Sequence, residues 1–309
     1  MSKPATSFAW LLSLIAAGVS VAGPRPGHSQ SPRDAHRKAA PVHHFVEDPV
    51  SELIADIPDL AQLRPADDQD SLPMILSNVG RRVEAFARSA TAVSAHEEVT
   101  QQILKADGKV FRKRESAFNY IILSHREAGD EYFEEYRTDL KGQRTYQAGL
   151  EDGYMITSTF AATCLSFDID NQGDSTFRYL GMDTVDSADA YVVAFAQDPT
   201  LARMATTIAE GNVVRKAYVQ GIAWIGKENF QILRLRTDPL APIPEIGLMN
   251  QTTDVRFGEV HPEGTNTPLW LPQLVTVSVI RRGERVRNLH RYSDYRMFRV
   301  AIQIKPAPN

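Results

Sequence analysis

Residues 220–237, QGIAWIGKENFQILRLRT, contain two apolar runs that are separated by a short polar turn. The first run is 222–225, the second is 230–235, and the turn is 226–229. β-Branched and aromatic residues on either side of a Gly/Asn turn are typical of a β-hairpin. A strand that is buried on one side alternates apolar and polar residues, whereas this hairpin places apolar residues on both sides. The pattern therefore predicts a hairpin at which both faces of the sheet are covered.

The β pattern continues from residue 94 almost to the C terminus, in roughly ten short runs that are separated by turn residues such as Asp107-Gly108. Residues 162–172 and 175–185 are predicted as consecutive strands, and residues 200–212 as a loop. The short connections predict antiparallel neighbours. Strands do not alternate with helices here, which disfavours a doubly wound α/β fold.

Two helices are predicted ahead of the strands. The first follows Asp48-Pro49, a cap with a first-turn proline, and ends at Pro58. The second begins near Ser71 and runs to about residue 88, with its apolar residues at helical spacing on one face. These residues are Leu72, Ile75, Leu76, Val79, Val83 and Phe86.

The predicted fold is mainly β with N-terminal helices. A sheet of about ten strands tends to curl, so we expect a strongly curved antiparallel sheet that forms an open half β-barrel, with the helices covering its concave face. The rest of that face would be an apolar trough, which suits a lipid-like ligand. Because large aromatics also fill ordinary cores, each candidate has a core position as its alternative. The candidates are Trp224, Phe230, Phe257, Trp270, Phe195 and Tyr179.

The first 22 residues have the pattern of a secretory signal peptide, with Lys3, an apolar run at 8–21 and small residues up to Ala22. A membrane anchor is the alternative, but the run is shorter than the ~20 residues that a spanning helix needs. No cysteine follows the run and no twin arginine precedes it. We therefore predict Sec export to the periplasm, with cleavage near Ala22.

The remaining chain is predicted to contain a flexible linker at 23–47, which is rich in Pro, Ser, His and Arg, and one domain at 48–305. The net charge of the 309 residues is −4. This balance provides no basis for nucleic-acid binding and argues against tight binding to anionic lipid headgroups. Cys164 is the only cysteine, so no internal disulfide forms, and we expect a buried thiol.

Common catalytic motifs are absent from the sequence, including G-x-S-x-G, the P-loop, G-x-G-x-x-G and H-E-x-x-H. On a strand, His96 and Glu98 share one face while Glu97 points to the other. A charged surface strand explains this pattern. His290 and Ser293 fall on opposite faces of a regular strand, which argues against a hydrolytic triad in this stretch.

A metal site is not predicted either. Asp168, Asp170 and Asp174 lack the spacing and the closing Glu of a calcium loop, and a solvated turn explains them. His43 and His44 lie in the predicted linker without further ligands nearby. We therefore expect a non-enzymatic protein that uses no cofactor.

The order of signal peptide, helices and antiparallel meander resembles the LolA-like outer-membrane lipoprotein carrier superfamily. The hairpin GIAWIGKENFQILRLRT resembles that group's G-x-x-W-I-D hairpin, and WLPQLVTVSV and LHRYSDYRMFRV resemble its closing strands. The resemblance covers about residues 70–300. It implies a periplasmic open barrel that shelters acyl chains, with a lipid or an acylated protein as ligand and no nucleic acid.

Two other hypotheses remain open at this point. One is an envelope sensor with the same barrel that binds a protein partner. The other is an exported hydrolase with a dispersed active site that includes His96 or His290.

Overall fold

The computed structural model describes residues 13–16, 44–127, 130–143, 160–203, 206–210 and 213–298. Two α-helices occur there, α1 (Val50–Asp56) and α2 (Leu72–Ser89). The strands are β1 (Ser13–Ala16), β2 (Arg64–Pro65), β3 (Ala92–Leu104), β4 (Val110–Glu127), β5 (Asp130–Thr138), β6 (Ser175–Val185), β7 (Ala188–Gln197), β8 (Thr206–Glu210), β9 (Val213–Ala217), β10 (Val219–Gly226), β11 (Ile232–Pro239), β12 (Leu248–Val260), β13 (Leu269–Arg281) and β14 (Glu284–Met297). Within these ranges, no helix has the length and apolar character to cross a membrane.

Eleven strands form one antiparallel sheet, in the order β2-β6-β7-β10-β11-β12-β13-β14-β3-β4-β5. Its two edges are β2 and β5, which do not pair with each other in the described part of the chain, so the sheet is open. A separate small sheet contains β1, β8 and β9, with β1 parallel to β8. The predicted single open sheet with antiparallel neighbours is confirmed.

The hairpin that suggested the fold is β10–β11, and both faces of its first strand are buried. Ala223 and Ile225 belong to the larger apolar cluster of the protein, and Ile222 and Trp224 belong to the smaller one. The face that carries the larger cluster is called the inner face here, and the opposite one the outer face. The prediction that both faces are covered at this hairpin is confirmed.

The inner face is strongly curved. Every strand of the large sheet except β2 contributes side chains to its apolar cluster. Ten strands side by side would span about 43 Å if the sheet were flat. The main elements over this cluster are α2 and the 3-10 helix Ala162–Phe167, with Ile243 and Ile246 also packed into it, and a helix is only about 10–12 Å wide. The sheet therefore curls around its cover, as an open half-barrel.

The two α-helices lie on opposite faces. Both helices were expected on the concave face; α2 does cover the inner face, but the prediction is wrong for α1, which packs through Leu53 against the outer face beside Phe45. The Phe45 N–H donates to Gln220 Oε1 (3.0 Å), and Arg178 donates to the Asp48 carbonyl (2.7 Å). Phe45 thus belongs to the outer cluster although it falls in the predicted linker. Residues 23–43 of that linker lie outside the described residues.

Two local predictions from the sequence are wrong. Residues 162–172 were expected as a strand, but Ala162–Phe167 is a 3-10 helix that is buried among inner-face side chains. Its apolar residues resemble a buried strand because periodicity does not separate short buried segments of the two kinds. The expected loop at 200–212 contains β8, which pairs with β9.

Candidate functional site

The helix α2 crosses the inner face with its apolar stripe against the sheet. Ile75, Val79, Val83 and Phe86 recur every three or four residues and are buried. This spacing places them on one side of the helix. α2 is therefore an amphipathic cover, held mainly by apolar contact.

A cavity of ≈ 20 Å³ remains between α2 and strands β11–β13. This volume is close to that of a single water molecule. We call this place the seam. It is lined by Arg82, Val83, Phe86, Cys164, Gln231, Ile232, Phe257 and Trp270.

The two covering elements are packed closely against each other at Gly80. A Cβ at this position would lie 2.7 Å from Ile169 Cγ1 and 3.2 Å from the Phe167 carbonyl oxygen. Gln172 Nε2 donates to the carbonyls of Leu76 and Phe167, both at 2.9 Å. The segment 160–174 and α2 therefore form one continuous cover.

Polar contacts close both sides of the seam. Arg82 Nε of α2 donates to the Asn229 carbonyl at 2.8 Å, in the turn between β10 and β11. On the sheet side, Trp270 Nε1 donates to the Ile232 carbonyl at 2.7 Å. The first contact ties the cover to the sheet, and the second fixes the indole that forms the wall of the seam.

The six aromatic residues predicted to line one trough do not share one face. Tyr179, Phe195 and Phe257 are buried in the inner cluster, and Phe230 and Trp270 pack against it. Of these five, Phe257 and Trp270 line the seam. Trp224 lies in the outer cluster, on the other side of the sheet.

Trp224 has a fully occupied environment on the outer face. Its Nε1 donates to Asp183 Oδ2 at 3.0 Å. The Arg234 guanidinium lies over its ring, 4.8 Å from the centroid, and Arg234 also pairs with Asp254 and Asp59. These contacts give Trp224 a structural role in holding the N-terminal segment to the sheet.

A buried polar cluster lies on the inner face beyond the apolar region. Glu97 accepts hydrogen bonds from the Arg137 guanidinium, from the Tyr292 hydroxyl (2.8 Å) and from His290 Nδ1 (2.8 Å). Burial alone would raise the pKa of Glu97, but the positive Arg137 and the donor His290 lower it to about 2. Glu97 is therefore ionised at the centre of the cluster.

A second buried carboxylate, Glu135, holds the cover segment. It accepts a hydrogen bond from Tyr120 and from the backbone N–H groups of Ala161 (3.2 Å) and Ala162 (2.7 Å). Burial raises the pKa of Glu135, and these donors only partly offset that effect. The start of the 3-10 helix is thus anchored to β5 by its two N–H groups.

The prediction of a charged surface strand at 96–98 is wrong for Glu97, which is fully buried and pairs with His290. Glu97 does point away from His96, as strand alternation indicated, and Ala95 and Val99 on the same side are buried with it. An acidic residue among inward-facing apolar residues was the available signal. The partner depends on the register between β3 and β14, which the sequence alone does not provide.

The other chemical candidates are accounted for by ordinary contacts. Ser293 pairs in register with His96, away from the buried His290. Cys164 is buried, and desolvation raises the pKa of its thiol, which makes it a poor nucleophile. Asp174 accepts from Arg203. In the described ranges, no group of three or more His, Cys, Asp or Glu residues is arranged to hold a metal ion.

A larger depression of ≈ 880 Å³ lies where the register of β14 against β3 shifts, between Ser293 and Arg296. Its walls are mostly polar and include Glu98, His261 and Arg291. This composition fits a polar surface groove. It does not fit a pocket for an acyl chain.

No family model matches the sequence, and no curated protein matches it. Similar solved structures include a DUF1329 family protein from Desulfovibrio piger, which is 12% identical, with a TM-score of 0.42 over 74% of this chain and 93% of that chain. A putative outer membrane lipoprotein-sorting protein domain from Vibrio parahaemolyticus is 11% identical, with a TM-score of 0.37 over 72% and 91%. A LolA superfamily protein from Nitrosomonas europaea is 11% identical, with a TM-score of 0.35 over 73% and 94%.

The Nitrosomonas europaea structure is thus described as a member of the superfamily that the sequence resembles. These identities and scores describe a distant likeness between folds. They assign no ligand, partner or activity to this chain.

Proposed function

We propose that this chain is an exported, non-enzymatic binding protein that carries a lipid or a lipidated ligand. The ligand's apolar chain would lie between the inner face and its cover, entering at the seam. One observation carries this proposal. In the described part of the chain, the larger of the two apolar clusters is covered mainly by elements that are not strands of the sheet, α2 and the 3-10 helix Ala162–Phe167.

The cover and the sheet are structurally separable. The backbone hydrogen bonds of the large sheet join strands to strands. A displacement of α2 therefore breaks none of them. An acyl chain would replace the apolar contacts that Val83 and Phe86 make now. The exchange of one apolar neighbour for another costs little free energy compared with the exposure of the face to water.

Ligand entry requires the seam to widen. A cavity of ≈ 20 Å³ is far below the ~300 Å³ at which small-molecule pockets begin. The Arg82 hydrogen bond to the Asn229 carbonyl is the polar contact that must open at this end of α2. The ligand-free protein therefore has a closed seam, and the ligand-bound protein an open one.

Export to the periplasm is part of the proposal and rests on the apolar run at 8–21. Within this run, β1 (Ser13–Ala16) lies at the edge of the small sheet. Cleavage near Ala22 would remove β1 and leave β8 paired with β9. The intact mass of the protein recovered from a periplasmic fraction tests this point, with a chain that starts at Gly23 as the expected result.

Binding is tested by titration of the detergent-free protein with saturated fatty acids of increasing length, in competition with a fluorescent fatty acid. Burial of each additional CH₂ contributes about 0.8 kcal/mol, so affinity is expected to rise by about fourfold per CH₂. Saturable binding with this dependence supports the proposal. A lack of saturable binding, or an affinity that does not depend on chain length, would refute it.

A second candidate function is an envelope sensor that binds a protein partner. The polar groove of ≈ 880 Å³ at the β14 register shift favours it, because a charged groove suits a polar peptide segment. A photo-crosslinking residue at position 273 would then capture one defined envelope protein, and Arg291→Glu would abolish the capture. Capture that persists in the variant argues against this function.

A further inference from the structure

Two hairpin tips lie side by side at one end of the large sheet. Leu104 at the end of β3 pairs with Arg285 at the start of β14. The turns at 105–109 and 282–283 therefore project from the same end of the sheet. The Arg282 N–H donates to the Gly247 carbonyl at 2.8 Å, which brings the start of β12 to the same place. We call residues 105–115, 247–249 and 281–287 the basic tip.

Positive charge is concentrated at the basic tip. Residues 105–115 contain five Lys or Arg and two Asp or Glu, and residues 281–287 contain four Arg and one Glu. These two segments therefore have a surplus of six positive charges, while the whole chain has a net charge of −4. The charge of this protein is segregated, with the excess of acidic residues elsewhere.

Exposed apolar side chains lie among these charges. Phe111 is 64% exposed, Met249 is 46% exposed and Val110 is 44% exposed. They are three of the eight exposed large apolar residues in the described part of the chain. Such side chains surrounded by Lys and Arg are not explained by packing within the protein.

Two of these residues occupy β-bulges. The pairing of β3 with β4 passes from Ile103–Arg112 to Leu104–Val110, so Phe111 has no residue opposite it. The pairing of β12 with β13 passes from Leu248–Arg281 to Asn250–Ile280, so Met249 has none either. A bulge redirects a side chain away from the regular pleat, and here both bulges present an apolar side chain to the solvent.

We propose that the basic tip docks the protein on an anionic membrane surface. Lys and Arg near such a surface are attracted by its negative potential, while aromatic and aliphatic side chains enter the interface below the headgroups. The −4 charge of the whole chain does not oppose this, because charges more than about 8–10 Å from the surface are screened at physiological salt. The proposal concerns the orientation of the protein on a membrane and does not depend on a ligand in the seam.

Co-sedimentation of the full chain with phospholipid vesicles tests the proposal. The vesicles contain phosphatidylcholine alone or phosphatidylcholine with phosphatidylglycerol. One variant removes the apolar side chains (Phe111→Ser with Met249→Ser), and one reverses two charges (Lys109→Glu with Arg285→Glu). The matched controls are Leu201→Ser, an apolar residue of similar exposure after β7, and Lys227→Glu in the β10–β11 turn. All proteins share one N terminus, so any contribution of residues 8–21 cancels.

The parent chain and both controls are expected to bind the anionic vesicles, with at least tenfold weaker binding to the neutral ones. Each test variant is expected to lower the partition coefficient by about tenfold, with fatty-acid uptake unchanged. No binding of the parent to anionic vesicles, equal binding to neutral ones, or unchanged binding of both test variants would overturn the proposal. Unchanged fatty-acid uptake separates this result from a failure of the carrier function.

Discussion

Glu97 Oε1 lies 2.8 Å from His290 Nδ1 across neighbouring strands, and both side chains are fully buried. Burial lowers the pKa of His290 more than Glu97 raises it, so His290 is neutral and its Nδ1–H donates to the carboxylate. Its Nε2 atom has no hydrogen-bond partner within the described residues, and the ring edge meets Phe160 of the cover. The Glu97–His290 pair therefore joins two strands of the sheet, while the other side of the His290 ring contacts the cover through Phe160.

The first prediction concerns stability in acid. The folded pKa of Glu97, about 2, lies below its ordinary value of 4.5, so its contribution is complete above pH 4.5 and is lost as the pH falls towards 2. The folded pKa of His290 is also lowered, so its contribution is complete above its ordinary value of 6.5 and declines below it. Urea unfolding followed against pH should show stability that falls from about pH 6 downwards.

The variant Glu97→Gln separates this effect from general acid unfolding. It leaves the Arg137 guanidinium buried without its anion, which is expected to cost about 3–5 kcal/mol at pH 7. It should also flatten the loss of stability between pH 4.5 and 2. Glu98→Gln, on the exposed face of the same strand, is the matched control and should change neither quantity. Equal behaviour of the two variants would contradict the role of the Glu97 cluster.

The second prediction assigns Trp224 to stability. Trp224→Phe removes the donor to Oδ2 of the buried Asp183, whose Oδ1 still accepts from the Thr184 N–H, and loss of one partner of a buried acceptor costs about 1–3 kcal/mol. Because Trp224 lies on the outer face, fatty-acid affinity should stay within twofold of that of the parent chain. Chemical unfolding and the fatty-acid titration measure the two quantities. A large loss of affinity in this variant would place the ligand on the outer face and would contradict binding between α2 and the inner face.

The third prediction concerns the cover. A methyl group in Gly80→Ala must displace the side chains of both Ile169 and Gln172, and overpacking of this kind costs about 1–3 kcal/mol. Alanine gains up to ~1 kcal/mol of helix propensity in return. The net effect is a looser cover, so fatty acid should enter faster in stopped-flow measurements. Asn78→Ala, a half-exposed site whose side chain makes its hydrogen bonds within the same helix, should leave the entry rate unchanged, and an equal rate for Gly80→Ala would contradict the cover model.

The sequence predicted the open sheet because its short connections and turn residues are local signals. The β10–β11 hairpin also predicted two covered faces, since strand alternation is local. The division of the six aromatic residues between the faces was not recognised. Alternation does place Trp224 and Ala223 on opposite sides, but only the packing of α1 and Phe45 shows that the outer side is a second core.

The basic tip could not be predicted from the sequence either, because its segments are far apart along the chain. The charges near residues 105–115 and 281–287 are visible in the sequence, yet they are about 170 positions apart along the chain. The two segments become neighbours only through the pairing of β3 with β14, which places Leu104 opposite Arg285. The net charge of the chain argued against binding to anionic lipid. A net charge, however, contains no information on where the charges lie in the fold.

Tryptophan quenching by a fatty acid brominated along its chain tests the central claim most directly. The chain has three tryptophans, Trp10, Trp224 and Trp270, and Trp10→Phe in all samples removes the first. With Trp224→Phe, the remaining Trp270 should be quenched with saturation, since it lines the seam. With Trp270→Phe, the remaining Trp224 should keep its emission. Quenching of Trp224 but not Trp270, or of neither, would contradict a ligand chain held under α2.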